Sequence, residues 1–217
     1  MVEPETFTFL AELAANNRKA WLDEHREERD DALRNFTGIA ATLHDYADRF
    51  DYRVSETRNK PKQSYSKLFQ EPRDRVGRAL YRADVDVFAI AGHPKEEFGY
   101  FLHIEPGNCY AGAGLLQPSK DALARVRNRL VDDWEGFKDV LDDSDFKSCF
   151  QDGILSRKAL DTVPEGFDDA SPAAPYLKMI GMECRKALPD ADLLDDEVID
   201  QLIEVFREAS LLVRYFD

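Results

Sequence analysis

Two strand-forming runs, Phe98–Glu105 and Cys109–Gln117, are joined only by Pro106-Gly107-Asn108. A connection that short makes them an antiparallel hairpin. Parallel neighbours would need a crossover of about a dozen residues or more, and none separates this pair. A third strand is expected over Asp84–Ile90, where polar and apolar residues alternate before an apolar run. Gly92-His93-Pro94 ends it as a turn.

The sequence on either side of this centre is helical in period. Phe7, Phe9, Leu10 and Leu13 mark a short first helix, with Asn16-Asn17 as its stop. From Asp31 to Phe50, Leu33, Phe36, Ile39, Ala40, Leu43 and Ala47 hold helical spacing. Gly38 weakens that helix by about 1 kcal/mol relative to Ala. Ser119 reads as an N-cap for a helix whose buried stripe is Leu123, Val126 and Leu130, and a second helix follows around Trp134–Leu141. Over Asp196–Phe216 the apolar positions Val198, Leu202, Val205, Ala209, Leu212 and Phe216 step by four and three, a core-packing face. The expectation is one α+β domain over residues 1–217, a mostly antiparallel sheet flanked by helices. It is helical over 4–50, sheet-rich over 52–117 and helical again over 119–217.

The chain of 217 residues carries 43 acidic against 29 basic residues, a net charge of −14. That balance argues against general nucleic-acid binding, which needs an excess of Lys and Arg on some face. The charge is uneven, however: Arg53–Arg82 holds nine Lys and Arg against Glu56, Glu71 and Asp74. A local anion site in that segment is compatible with the acidic total. Cys109, Cys149 and Cys184 lie far apart without a C-x-x-C pair, so neither a disulfide framework nor a structural zinc site is expected. The longest apolar stretch, Val87–Ala91, is far short of a membrane span, and no secretory leader is read at the N-terminus. The protein is expected to be soluble and cytoplasmic, with reduced cysteines.

No Walker loop, nucleophile elbow or H-E-x-x-H motif is present, and Gly112-Ala-Gly114 lacks the third glycine of a dinucleotide fingerprint. The informative constellation is Phe101-Leu-His103-Ile-Glu105. On a strand His103 and Glu105 share one face, about 7 Å apart, while Leu102 and Ile104 face the core. An imidazole beside a carboxylate suits general acid–base work, or two of the ligands of a metal that would still need a third. The structural alternative is a hydrogen-bonded pair on a half-buried sheet. Arg125 and Arg129 share a helix face while Arg127 lies nearly opposite, which fits either solvated ion pairs or an anion clamp.

Several blocks together resemble a known family. Phe9-Leu-Ala-Glu-Leu-Ala-Ala-Asn-Asn-Arg-Lys-Ala-Trp21 is similar to the opening of the bacterial family called domain of unknown function 2461. Tyr100-Phe-Leu-His-Ile-Glu-Pro-Gly107 with Ala111-Gly-Ala-Gly114 and Pro118 resembles its central hairpin, and Pro164-Glu-Gly-Phe167 and Tyr176-Leu-Lys178 its later blocks. The resemblance spans nearly the whole chain and implies a single α+β domain of this length; it implies no activity. The family's hallmark has the form R-x-x-R-D-x-R-F-x-x-x-K-x-P-Y, and here the chain departs from it. One register runs Lys67-Leu-Phe-Gln-Glu-Pro-Arg73-Asp74, keeping Arg-Asp and losing the first Arg and the K-x-P-Y end. The other uses Arg53 and Lys62-Gln-Ser64-Tyr65 and loses Arg-Asp. The first needs no shift and is preferred.

Two functions follow as expectations. In the first, a small anionic ligand, such as a phosphorylated one, binds over the face carrying His103 and Glu105. Arg73, Asp74 and Lys67 of the basic segment hold it, and His103 with Glu105 exchanges protons. In the second, the eroded hallmark marks a non-catalytic interaction module that has lost an ancestral site. No cofactor or metal is nominated, and the oligomeric state is left open.

Overall fold

A computed structural model of the chain describes residues 1–56, 64–68, 79–92 and 95–217. The N-terminal helices are α1 (Pro4–Ala15), α2 (Lys19–Glu24) and α3 (Arg26–Asp45), then a 3₁₀ turn at Ala47–Arg49 and α4 (Tyr52–Ser55). The sheet strands β1 (Val85–Ala89), β2 (Gly99–Ile104) and β3 (Cys109–Leu115) follow. Then come α5 (Lys120–Asp132), α6 (Trp134–Asp142), α7 (Ser144–Cys149) and α8 (Ala174–Leu177). A fourth strand, β4 (Met182–Leu188), precedes α9 (Asp190–Leu193) and α10 (Val198–Tyr215). The fold is α+β, with the four strands antiparallel in the order β1-β2-β3-β4.

β4 corrects the reading of 119–217 as helical throughout. Its sequence, Met-Glu-Cys-Arg-Lys-Ala-Leu, consists almost entirely of good helix formers and holds no β-branched residue. Its extended state is imposed by pairing with β3, where Cys109 to Leu115 face Leu188 to Met182. That pairing is unusually close: a Cβ on Gly112 would lie 1.9 Å from the Cys184 carbonyl oxygen, and one on Gly114 2.4 Å from that of Met182. Only glycine permits this approach of two backbones.

The β2–β3 turn forms where the sequence predicts it, with Gly107 at φ +82°, a conformation that suits glycine. Ser119 caps α5 by accepting a hydrogen bond from the Ala122 amide at 3.1 Å. One face of the sheet is the core: Val85, Val87, Leu102, Ile104, Ala111 and Cys184 are all buried. α10 lies against β3, burying Leu202, Val205, Ala209 and Leu212 at the predicted spacing and Phe206 beside them, and α3 packs on β1.

Both outer sheet edges are covered by non-strand chain. Along β1, the Phe88 amide donates to Ser64 and the Ser66 amide to Asp86, with Tyr65 bridging Val87. Along β4, Leu155 and Glu183 exchange both backbone hydrogen bonds at 2.8 and 2.9 Å. Such covers satisfy edge amides and carbonyls that would otherwise recruit another chain. Among the described residues, no helix is long and apolar enough to cross a membrane.

Candidate functional site

Asp86 on β1 faces His103 on β2, which faces Tyr110 on β3. Cross-strand partners project to one side of a sheet, so this register places a carboxylate, an imidazole and a phenol in a row on the face opposite the core. The next row brings Phe88, Phe101, Gly112 and Arg185, and Glu183 stands two residues before Arg185 on β4. The side chains meet closely. His103 Nδ1 lies 2.7 Å from Asp86 Oδ1, and its ring stacks on Tyr110 with centroids 4.3 Å apart. The Arg185 guanidinium sits 4.6 Å from the centroid of that same phenol.

Asp86 and Glu183 are each 2% exposed and His103 4%. Charges buried so deeply need partners. The covers of the two sheet edges supply them. Arg157, just past the Leu155 bridge, places Nη2 and Nη1 3.2 and 3.3 Å from the two Asp86 oxygens. Its Nε reaches Glu183 Oε2 at 3.3 Å and Nη2 the Tyr110 hydroxyl at 3.2 Å. Arg82, on the β1 side, donates to Asp86 Oδ2 at 3.0 Å and also pairs with Asp84. Three carboxylates (Asp84, Asp86, Glu183) thus meet three guanidiniums (Arg82, Arg157, Arg185).

The two buried carboxyls are driven in opposite directions. Burial works to raise the pKa of Asp86, but the His103 hydrogen bond and the Arg157 and Arg82 charges outweigh it and hold the carboxyl well below the usual range. Burial dominates at Glu183, whose pKa is raised although Arg157 and Arg185 oppose the rise. With Asp86 ionised, His103 presents Nδ1–H to it. Nε2 then points toward the rim, where Glu105 Oε2 lies at 3.4 Å and the Glu105 side chain is 43% exposed. The Asn108 amide holds that same Glu105 oxygen at 2.5 Å. A carboxylate that fixes a histidine tautomer, with Nε2 facing a second, half-exposed carboxylate, is an arrangement that can carry a proton.

Asp84, Asp86 and His103 offer three ligand atoms within 4.8 Å of one another, the geometry of a small metal site. The guanidinium of Arg82 already lies on both aspartates, and Arg157 lies on Asp86. A divalent ion would have to displace two arginines, so these donors fit guanidinium pairing better than a metal.

His103 and Glu105 share one face as their spacing predicts. Lys67 is exposed on the segment that covers the β1 edge, next to Ser66, whose amide bonds Asp86 O. Arg73 and Asp74 lie outside the described residues. Of the basic residues in Arg53–Arg82, only Arg53, Lys67 and Arg82 lie among the described residues. Arg82 belongs to the cluster, whereas Arg53 is tied to Asp51 and Asp217. Asp51 also accepts from Tyr100 Oη, on the core side of the sheet. The sequence reading missed Asp86, Tyr110, Glu183, Arg157 and Arg185. Asp84-Val-Asp86-Val carries the signal for Asp86, an acid between apolar neighbours on a strand; Arg157, on a loop, carries none. Arg125 pairs with Glu96, Arg129 with Asp133, and Arg127 donates to Leu177 O.

The family model described as "Conserved hypothetical protein (DUF2461)" matches residues 5–215. No curated protein and no solved structure matches the chain.

Proposed function

The chain belongs to the DUF2461 family of conserved hypothetical proteins, and we propose a function from its own side chains: binding of a small anionic ligand on the polar face of the sheet. In this reading Arg185 is the gripping cation, Lys67 adds charge at the rim, and His103 exchanges a proton with the ligand through Nε2. The observation that carries it is the Asp86–His103 pair at 2.7 Å, with buried Asp86 fixing the ring. Arg82 and Arg157 keep Asp86 charged, so they are counter-ions. Arg185 is 38% exposed on its side chain and meets Glu183 only at 3.6 Å, leaving its guanidinium edge for a ligand. We place this activity in the cytoplasm, where the three free cysteines would stay reduced.

The test is thermal unfolding with inorganic phosphate and small phosphomonoesters, on the wild type and on Arg185→Gln and His103→Gln. A ligand at about 100 times its Kd stabilises by about 2.7 kcal/mol, roughly 5–10 °C for a domain of this size. Arg185→Gln is expected to weaken binding about tenfold or more. No shift at about 10 mM of any of these anions would refute the reading.

A second reading, an interaction module whose polar face is purely structural, is favoured by one fact: Asp84, Asp86, Arg82 and Arg157 neutralise one another. It predicts that Arg185→Gln changes no ligand response.

A further inference from the structure

A cleft of about 440 Å³ opens on the core side of the sheet, away from His103. It lies between α4, the start of β2, α5 and the C-terminal turn of α10. The volume is within the ordinary range for a small-molecule site. Its floor is aromatic: Phe98 and Phe216 stack with centroids 4.3 Å apart and planes within 8°. Val126 of α5 lines the cleft beside them.

The rim is charged with both signs. Arg53, Arg125 and Arg129 line it, as do Asp51, Glu96, Glu97 and Asp217. These charges are not equally committed. Arg53 is locked to buried Asp51 by bonds of 2.8 and 2.6 Å, and Arg129 is taken by Asp133 at 2.9 Å. Arg125 is 60% exposed and, among the described residues, reaches only Glu96, at 3.2 Å to the carboxylate and 3.0 Å to the carbonyl. Glu97 has no hydrogen-bond or ion-pair partner among the described residues, and its carboxyl rests against Gly92. The exchangeable guanidinium and the unpaired carboxylate therefore sit on the same rim, above an apolar floor.

A purely anionic ligand here would face four carboxylates, and a purely cationic one three guanidiniums. A molecule carrying one charge of each sign on an apolar body meets both. We propose that this cleft binds a small apolar zwitterion of the α-amino-acid class, its carboxylate on Arg125, its ammonium on Glu97 and its side chain against Phe98 and Phe216. An aromatic side chain matches the stacked floor best. The pair Arg125 and Arg129, which share a helix face, thereby divides its work: Arg129 anchors α5 to Asp133, and Arg125 receives the ligand.

Calorimetric titration of the full chain tests this with L-phenylalanine, 3-phenylpropionate, which lacks the ammonium, and phenethylamine, which lacks the carboxylate. Phenylalanine is expected to bind, and each analogue to bind about tenfold or more weakly, as loss of one charge-assisted contact requires. Glu97→Gln should weaken phenylalanine about tenfold and leave phenylpropionate unchanged, and Arg125→Gln should weaken both. Both residues are exposed at the surface, so these variants keep the fold. His103→Gln should leave phenylalanine binding intact, which separates this site from the anion site on the opposite face. The proposal is overturned if phenylalanine does not bind at about 10 mM, if phenylpropionate binds as tightly as phenylalanine, or if Glu97→Gln has no effect.

Discussion

Replacing Arg157 with Met removes the side chain that touches both buried carboxylates of the polar face. Asp86 keeps His103 and Arg82, but among the described residues Glu183 keeps only Arg185 at 3.6 Å. Stripping one partner from a buried ion pair costs about 3–5 kcal/mol. Arg157 is 30% exposed, and its bonds to the two carboxylates run from 3.2 to 3.3 Å. Charge-assisted bonds at full strength are about 2.7–2.9 Å. The expected loss therefore lies at about 2–3 kcal/mol. With a urea m-value of about 2–3 kcal/mol/M for a chain this long, the midpoint should fall by about 1 M. The pH dependence tests the cause. Burial already lifts the Glu183 pKa, and losing Arg157 lifts it further. A carboxyl whose folded-state pKa exceeds its unfolded value opposes folding above that raised pKa and ceases to once protonated. The deficit should accordingly be full at about pH 8 and shrink toward about pH 5, and Arg157→Met/Glu183→Gln should regain stability at the higher pH. Asp86 starts so low that it stays ionised across this window and adds no slope. A loss below about 0.5 kcal/mol, or one equal at both pH values, would refute Arg157 as the counter-ion of Glu183.

Two further outcomes follow from the same geometry. A Cβ on Gly38 of α3 meets nothing within 4 Å, whereas one on Gly112 would strike the Cys184 carbonyl. Gly38→Ala should therefore raise Tm by about 2–4 °C and Gly112→Ala lower it by more than that, with the opposite order disproving the close β3–β4 approach. Asp86 has a depressed folded-state pKa, so its contribution is present above the unfolded value of about 4 and is lost as pH falls through the folded one. Asp86→Asn should lower Tm near neutrality and flatten the acid limb below about pH 4; an unchanged acid limb in thermal melts would count against it.

What could be read in advance was what depends on local periodicity. α10, the β2–β3 hairpin and the Ser119 cap each announce themselves within a few residues, and so does the shared face of His103 and Glu105. β4 did not, because its residues prefer helix and only β3 makes it a strand. Its misreading hid Glu183 and Arg185, which project from that strand to the polar face. Arg157 has no periodic neighbour at all; a loop residue reaches the site because Leu155 bridges the β4 edge. Linear charge also does not say where the two ends of the basic run go: Arg53 pairs with Asp51 and Asp217, and Arg82 with Asp86.

The two edge covers have a kinetic consequence. Arg82 follows the cover of β1, its amide bonding Leu68 O at 2.6 Å, and Arg157 follows the cover of β4. Both end on Asp86, 71 residues from Arg157 in sequence. Such a junction is expected to close only after the four strands and both covers are in place, when the slow search for distant partners is over. Bonds formed that late are absent from the folding transition state and act on the rate of opening. A deficit of about 2–3 kcal/mol placed there shortens the native lifetime about 30- to 150-fold while refolding keeps its pace. The ion cluster thus works as a latch between the two margins of the sheet, holding the folded chain shut.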